Sequence, residues 1–316
     1  MGKGRSSCGS LLRVLPVLAL LAAEAECGGG TSTSMTKVPP PPIMPAVAHV
    51  FLLVDENHSY SDVIGNPVMP YTNSLAQQNS LATKFYANTH PSLPNYFMLT
   101  TGMLVTSTDS FTGTVTGDNV ARALTQAGKT WKMYAEGLPS VGYLGPSVVP
   151  YDKNHDPFAY FSDTLTSTTG AANIVPFTEL QSDMANGTLP DFAMIVPSLE
   201  DDAHDCPHEA PQCTDAQKLA NADAWIQTNI APLIASSAFN HSVLILTWDE
   251  SETSDTANGG GHIATILLGS PIKRNYQSTT LYQHPSTLRL IIELLGGKDL
   301  PGAAGTAPDM TEFLVH

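Results

Sequence analysis

"VAHVFLLVDEN", residues 47–57, decides the fold class. Its apolar positions run almost without a break instead of alternating. That pattern marks a strand buried on both faces, and such strands belong to parallel sheets covered by helices. The run stops at Asp55, Glu56 and Asn57, so the strand carries acids to one edge of its sheet. Working outward, "WKMYAE" (131–136), "LPDFAMIVPS" (189–198), "HSVLILTWDES" (241–251) and "HIATILLGS" (262–270) read as further strands. Between them "YTNSLAQQNS" (71–80), "DNVARALTQAGKT" (118–130), "PFTELQSDMANG" (176–187), one long helix over 215–239 and "HPSTLRLIIELLGG" (284–297) read as helices. Residues 137–172, rich in Gly, Pro and Tyr, read as irregular structure over the sheet. Strands alternating with helices predict an α/β fold with a mostly parallel, doubly wound sheet, whose ligands sit beyond the carboxyl ends of the strands.

The 316 residues suit one large domain, and 14 Lys+Arg against 29 Asp+Glu give a net charge of −15. That field repels nucleic acid and anionic membrane surfaces, so no nucleic-acid partner is expected. An acidic protein acting on an anionic substrate needs local positive charge, and with so few cationic side chains a bound metal ion is its natural source. Residues 1–27 read as a secretory signal peptide: Lys3 and Arg5, then "LLRVLPVLALLAAEAEC", with Ala23 and Ala25 as an A-x-A cleavage site. The apolar run is too short for a transmembrane anchor. The alternative is a lipid anchor at Cys27, although Glu26 departs from the small residue expected before such a cysteine. Residues 28–46, Gly/Ser/Thr-rich and then Pro-rich, read as a flexible linker, which leaves 47–316 as a single catalytic domain. In the secreted or periplasmic setting so implied, Cys206 and Cys213, close together in "DCPHEAPQC", are expected to form a local disulfide.

The sheet-edge rule gives weight to the polar residues at strand ends. Glu56 and Asn57 end the first strand, Asp249 and Glu250 end the strand over 241–251, and His204 and Asp205 follow "AMIVPS". These acids and the amide are hard oxygen donors of the kind that hold a divalent cation, and carboxylates crowded at one edge repel unless a cation neutralises them. Strands also end in Asp or Asn simply because turns begin there. In "NTHPSLPNYFMLTTG", residues 88–102, Ser92 stands where a helix begins. A serine there is either an N-cap or a nucleophile, because a helix start offers unpaired N–H groups and partial positive charge. His155, His204 and His262 are candidate proton donors or phosphate contacts, the last following the glycine run of "NGGGHI", which permits close backbone approach. No Gly-x-Ser-x-Gly elbow, Walker A loop or His-Glu-x-x-His motif is present.

Taken together these blocks are similar to one family. "DENHSYSDVIGN" resembles the Glu-Asn-(Arg/His)-Ser-(Phe/Tyr) signature of the phosphoesterase family that includes phosphatidylcholine-type phospholipases C and a secreted bacterial acid phosphatase. "SLPNY" resembles its nucleophile block, "KNHDPFAYF" a Lys-His-(Asn/Asp)-Pro-Phe block, "VPSLEDDAHD" its His-Asp block and "WDESETSDTANGGGHI" its acidic block followed by Gly-Gly-His. The resemblance implies a three-layer α/β/α sandwich of the alkaline-phosphatase type. It implies Glu56, Asn57, Ser92, Asp249 and Glu250 as ligands of a divalent metal ion (Ca, Mg, Mn or Zn) and Ser92 as nucleophile. It further implies His204, Asp205 and His262 as catalytic groups and Asn95, Lys153 and His155 as substrate contacts. Tyr96 stands where the phospholipases carry Arg, and no C-terminal domains like theirs follow. The expected activity is therefore acid-phosphatase-like hydrolysis of a small phosphomonoester, with phospholipase C action on a phospholipid as the alternative and a non-catalytic phosphate-binding surface protein as the rival of another class. Tyr96, Phe97 and Met98 are the residues that would line a lipid-accepting cleft. The Cys/Ser-x-Pro-x-Arg signature of sulfatases is missing.

Overall fold

A computed structural model describes residues 44–315. The leader expected over 1–27 and nearly all of the linker expected over 28–46 lie outside the described residues. The strands are β1 (Val50–Asp55), β2 (Ser80–Ala82), β3 (Phe85–Tyr86), β4 (Trp131–Ala135), β5 (Ile174–Pro176), β6 (Phe192–Val196), β7 (Val243–Trp248), β8 (His262–Ile263), β9 (Thr265–Gly269), β10 (Tyr276–Ser278) and β11 (Tyr282–Gln283). Eight of them form one sheet in the order β10-β2-β9-β7-β1-β6-β4-β5, and β11-β3-β8 form a small second sheet.

β1 sits at the centre, parallel to β7 on one side and β6 on the other. Every one of its residues is buried, as its unbroken apolar run requires. β9 is the antiparallel member of the large sheet, against both β7 and β2. The chain goes from β7 to β9 without a crossover helix, and an uncovered return beside the same strand runs the opposite way. β8 and β9 divide what reads in the sequence as a single strand over 262–270.

The helix expected over 215–239 is divided too, into Asp215–Asn229 and Ala231–Ala235. Pro232 lies in the first turn of the second piece; it has no N–H to donate and its ring crowds the carbonyl four residues earlier. Cys206 and Cys213 are disulfide-bonded, with their Cα atoms 5.5 Å apart. Among the described residues no helix is long and apolar enough to cross a membrane.

Helix Ser92–Thr101 is buried along its whole length and packs against helix His284–Leu294. It stops at Gly102, whose φ of 65° is left-handed and whose missing Cβ leaves room for the Pro301 carbonyl oxygen, 2.5 Å from where a Cβ would lie. The nucleophile candidate thus sits on an element fixed at both ends.

Candidate active site

Three neighbouring strands, β6, β1 and β7, end at the same edge and supply the acids. The Asp249 N–H donates to the Asp55 carbonyl and the Glu56 N–H to the Asp202 carbonyl, which ties the three strand ends together. Asn57 then turns the chain with a φ of 53°, a conformation Asn tolerates better than most residues, and its backbone N–H donates to Asp249 Oδ1 at 3.2 Å. Its side-chain Nδ2 donates to Glu56 Oε2, also at 3.2 Å.

Ser92 occupies the first turn of its helix, after a cis His90–Pro91 bond. It is not the N-cap, which is Pro91; its hydroxyl donates to Glu56 Oε2 at 3.0 Å. The helix start has few N–H groups left for an anion. Leu93 N–H is taken by Asp109 Oδ1 at 3.0 Å, and Pro94 has none. Asn95, fully buried, accepts from the N–H groups of Asn88 and Thr89 and donates to the Thr89 and Pro91 carbonyls and to Glu250 Oε2. Expected as a substrate contact, it instead clamps the loop before Ser92 to Glu250, because its amide is consumed by that loop.

The structure therefore gathers Glu56, Asn57, Ser92, Asp249 and, through Asn95, Glu250. It adds contacts to these acids that the sequence did not foretell. Tyr96 is fully buried and donates its hydroxyl to Glu56 Oε1 at 3.0 Å; Phe97 and Met98 are buried as well, so these three residues line no lipid cleft. His90 Nδ1 approaches Glu250 Oε2 at 3.1 Å. Asp202, buried, faces His155 Nδ1 at 3.5 Å, while His155 Nε2 faces Glu56 Oε1 at 3.2 Å. His155 was placed at the substrate rim by resemblance, yet it is a buried imidazole between two acids, stacked on Tyr96 at 5.2 Å. His284 Nε2 donates to the Asp249 carbonyl at 2.6 Å, and burial lowers its pKa to about 4, so it is neutral. None of these contacts follows from spacing; only the lone buried His and Tyr inside matched blocks hinted at them.

His262 is stacked between Tyr60 and Tyr86, at 4.3 and 4.9 Å between ring centroids, and its Nε2 is held by the Thr83 carbonyl at 3.0 Å. The glycine run before it approaches protein, not ligand: Cβ atoms on Gly259 and Gly260 would lie 2.1 and 2.3 Å from the carbonyl oxygens of Asn88 and Thr89. The run thus seats the loop that carries Ser92. His204 is exposed, with Nδ1 on Asp205 Oδ1 at 2.9 Å and its backbone N–H on Asp202 Oδ1 at 2.8 Å. Lys153 donates to the Leu144 carbonyl at 3.1 Å and lies over the Tyr160 ring.

The electrostatics are those of an acid cluster short of positive charge. Burial, then Asp249, Asp202 and Glu250, push the Glu56 carboxyl well above its ordinary range, against the Ser92 hydrogen bond. Burial likewise raises Asp249, and burial followed by Asp249 and Asp109 raises Glu250. Asp249 Oδ2 is buried without a hydrogen-bond partner, and so are both carboxylate oxygens of Asp55. Among the described residues no three His, Cys, Asp or Glu side chains stand together in a way that would hold an ion unaided. The gathered set differs in including the hydroxyl of Ser92 and the amide of Asn57. Its hard oxygens, its orphaned Asp249 Oδ2 and its mutual repulsion fit a divalent cation.

A family model described as "Phosphoesterase family" matches residues 66–296. A phosphatidylinositol-3-phosphatase of Mycobacterium tuberculosis is 30% identical over 275 residues, which cover 85% of this chain and 84% of that protein. An acid phosphatase of Aspergillus fumigatus is 31% identical over 246 residues; the match takes in 74% of this chain but only 51% of the fungal protein. Among solved structures, an alkaline phosphatase superfamily protein from Vibrio parahaemolyticus superposes with a TM-score of 0.63 at 13% identity, covering 86% of this chain and 72% of that one. A phosphonate monoester hydrolase of Agrobacterium radiobacter gives 0.52 at 14% identity, covering 84% and 77%. These two likenesses speak to the fold, the α/β sandwich of that superfamily.

Proposed function

The chain belongs to the Phosphoesterase family, and on that premise we propose that it is an exported, metal-dependent hydrolase of phosphoric monoesters that acts through a phosphoserine at Ser92. The observation that carries the reading is the Ser92 hydroxyl, buried at a helix start and donating to Glu56 Oε2 at 3.0 Å beside Asp249 and Glu250. Relatives named as phosphatases support monoesters over diesters. The disulfide and the leader expected over 1–27 support export to an oxidising compartment.

Glu56, Asn57, Asp249, Glu250 and Ser92 Oγ would hold the cation, which supplies the positive charge that phosphoryl oxygens require and that the occupied helix start does not. Ser92 Oγ forms the new bond to phosphorus as the bond to the leaving oxygen breaks. The hydroxyl proton already points at Glu56 Oε2, the acceptor nearest to hand. His204, its Nδ1 on Asp205, presents Nε2 as the proton donor to the leaving oxygen. Water then cleaves the phosphoserine, releasing phosphate and restoring the hydroxyl. His155 fixes Glu56 from behind, and Lys153 lines a cleft together with Asp109, which holds the N–H next to Ser92.

Mature protein is assayed on 4-nitrophenyl phosphate with Ca, Mg, Mn or Zn and with chelator. Turnover that needs a metal, a phosphate adduct mapped to Ser92, and loss of both in a folded Ser92→Ala variant are expected. Unchanged turnover in Ser92→Ala would overturn the reading. Binding of phosphate esters without hydrolysis under every condition would favour a binding protein, and hydrolysis of phosphatidylcholine alone would favour a phospholipase C.

A further inference from the structure

We infer that the cleft sharing Asp109 with the start of the Ser92 helix is a leaving-group pocket for a neutral polyhydroxylated ring, a sugar or cyclic polyol, carried as its phosphate; this rests on the phosphoesterase reading above and names its substrate class. The cleft has a volume of about 550 Å³ and is lined by Asp109, Thr112, Gly113, Lys153, Asn154 and Tyr160 among others. Two of its walls adjoin residues that neighbour the acid cluster. Asp109 holds the N–H of the residue after Ser92, and Lys153 and Asn154 immediately precede His155, which faces Glu56.

The lining is chemically selective. Asp109 uses one carboxylate oxygen on Leu93 N–H, leaving Oδ2 to accept. Asn154 accepts from the Tyr160 hydroxyl at 3.3 Å, and its Nδ2 donates to no acceptor among the described residues. Lys153 spends one of its three donors on the Leu144 carbonyl, and Thr112 adds a hydroxyl that makes no hydrogen bond among the described residues.

The lining pairs one carboxylate, Asp109, with one ammonium, Lys153, so it offers no net charge that would favour an ionic leaving group of either sign. An acyl or aryl group would bury these donors and acceptors without partners, which is the costly case. Neighbouring hydroxyls on a ring both donate and accept. They can satisfy the carboxylate, the ammonium and the amide together.

The test is the ratio of kcat/KM for hexose 6-phosphate over 4-nitrophenyl phosphate, in the native chain and in an Asn154→Leu/Thr112→Val variant, with an inositol monophosphate as a parallel arm to separate cyclic polyols from sugars. The native ratio should exceed that of the variant by about 10-fold, the worth of one or two lost hydrogen bonds. A ratio that does not move overturns the inference. Should the native chain hydrolyse neither ester, the monoesterase reading fails, and the pocket is judged by equilibrium binding to Ser92→Ala protein. Hexose 6-phosphate should then bind about 10-fold more tightly than inorganic phosphate, with the gap closed by the double substitution; equal affinities overturn it.

Discussion

Replacing Glu250 by Gln should move the stability of this protein in opposite directions with and without metal. Glu250 is buried, with Oε2 contacted by Asn95 Nδ2 and His90 Nδ1, both at 3.1 Å. Its carboxyl is raised by burial first and then by Asp249 and Asp109. Each unit of such a shift is worth about 1.4 kcal/mol, and Gln keeps the size of the side chain and an oxygen for Asn95. Removing this charge should therefore stabilise the metal-free chain by about 1–3 kcal/mol, or roughly 2–8 °C in Tm for a domain of this size. The same change deletes a proposed ligand, so cation affinity should fall by at least about 10-fold. The pH dependence follows from the same groups. Glu56, Asp249 and Glu250 have raised folded values, so the folded chain holds protons that the unfolded chain releases. Their stabilising contribution is complete below the ordinary carboxylate range, near about pH 4, and is lost as pH rises through the raised values. Metal-free native protein should melt higher at pH 5 than at pH 8, and Glu250→Gln should narrow the gap. Thermal melts with chelator and with added divalent cation, at both pH values, make the measurement. A variant less stable than the native chain in chelator, or a native chain whose Tm ignores every cation, would refute the acid-cluster argument.

His155→Gln, which removes the imidazole between Glu56 and Asp202, should lower kcat by about 10- to 100-fold and leave KM less affected; steady-state kinetics showing an unchanged kcat would contradict the positioning role. Burial alone would raise the Glu312 carboxyl, but hydroxyl donors from Ser278, Tyr276 and Tyr282 outweigh it and hold it at about 2. Its contribution is present above the unfolded value near about 4.3 and lost as pH falls toward the folded one, so Glu312→Gln should cost about 1 kcal/mol at neutral pH, discounted for partial exposure, and nothing near pH 2. Urea unfolding at both pH values checks the convergence. Gly261→Ala places a Cβ at a φ of 81° and 1.7 Å from Ser251 Oγ. It should destabilise by about 2 kcal/mol or more, and a neutral effect on the urea midpoint would show that the loop yields.

Much of the site was legible because it lies where local pattern and topology coincide. Glu56 and Asp249 sit at the ends of buried apolar runs, and parallel central strands bring such ends together whatever the rest of the chain does. The contacts that finish the site were not legible, because they cross the chain over long separations. Tyr96 reaches Glu56 from 40 residues away, and Asn95 reaches Glu250 from 155. Local pattern also misled in places. The glycines before His262 read as room for a ligand and proved to be room for the loop of Asn88 and Thr89. Asn95 looked free to bind substrate and is committed to that same loop.

The sequence by itself determined the α/β class, the burial of an unbroken apolar strand and the acids at strand ends, since periodicity and turn chemistry are local properties. The Cys206–Cys213 pairing belongs with them, because only seven positions separate the two sulfurs. Tertiary structure alone decided which histidines stand among the acids, that β9 runs antiparallel, and that the start of the Ser92 helix is already occupied by Asp109. The physical reason is burial: a carboxylate's partner and its protonation depend on what the folded chain packs around it, and that packing comes from residues far away in sequence.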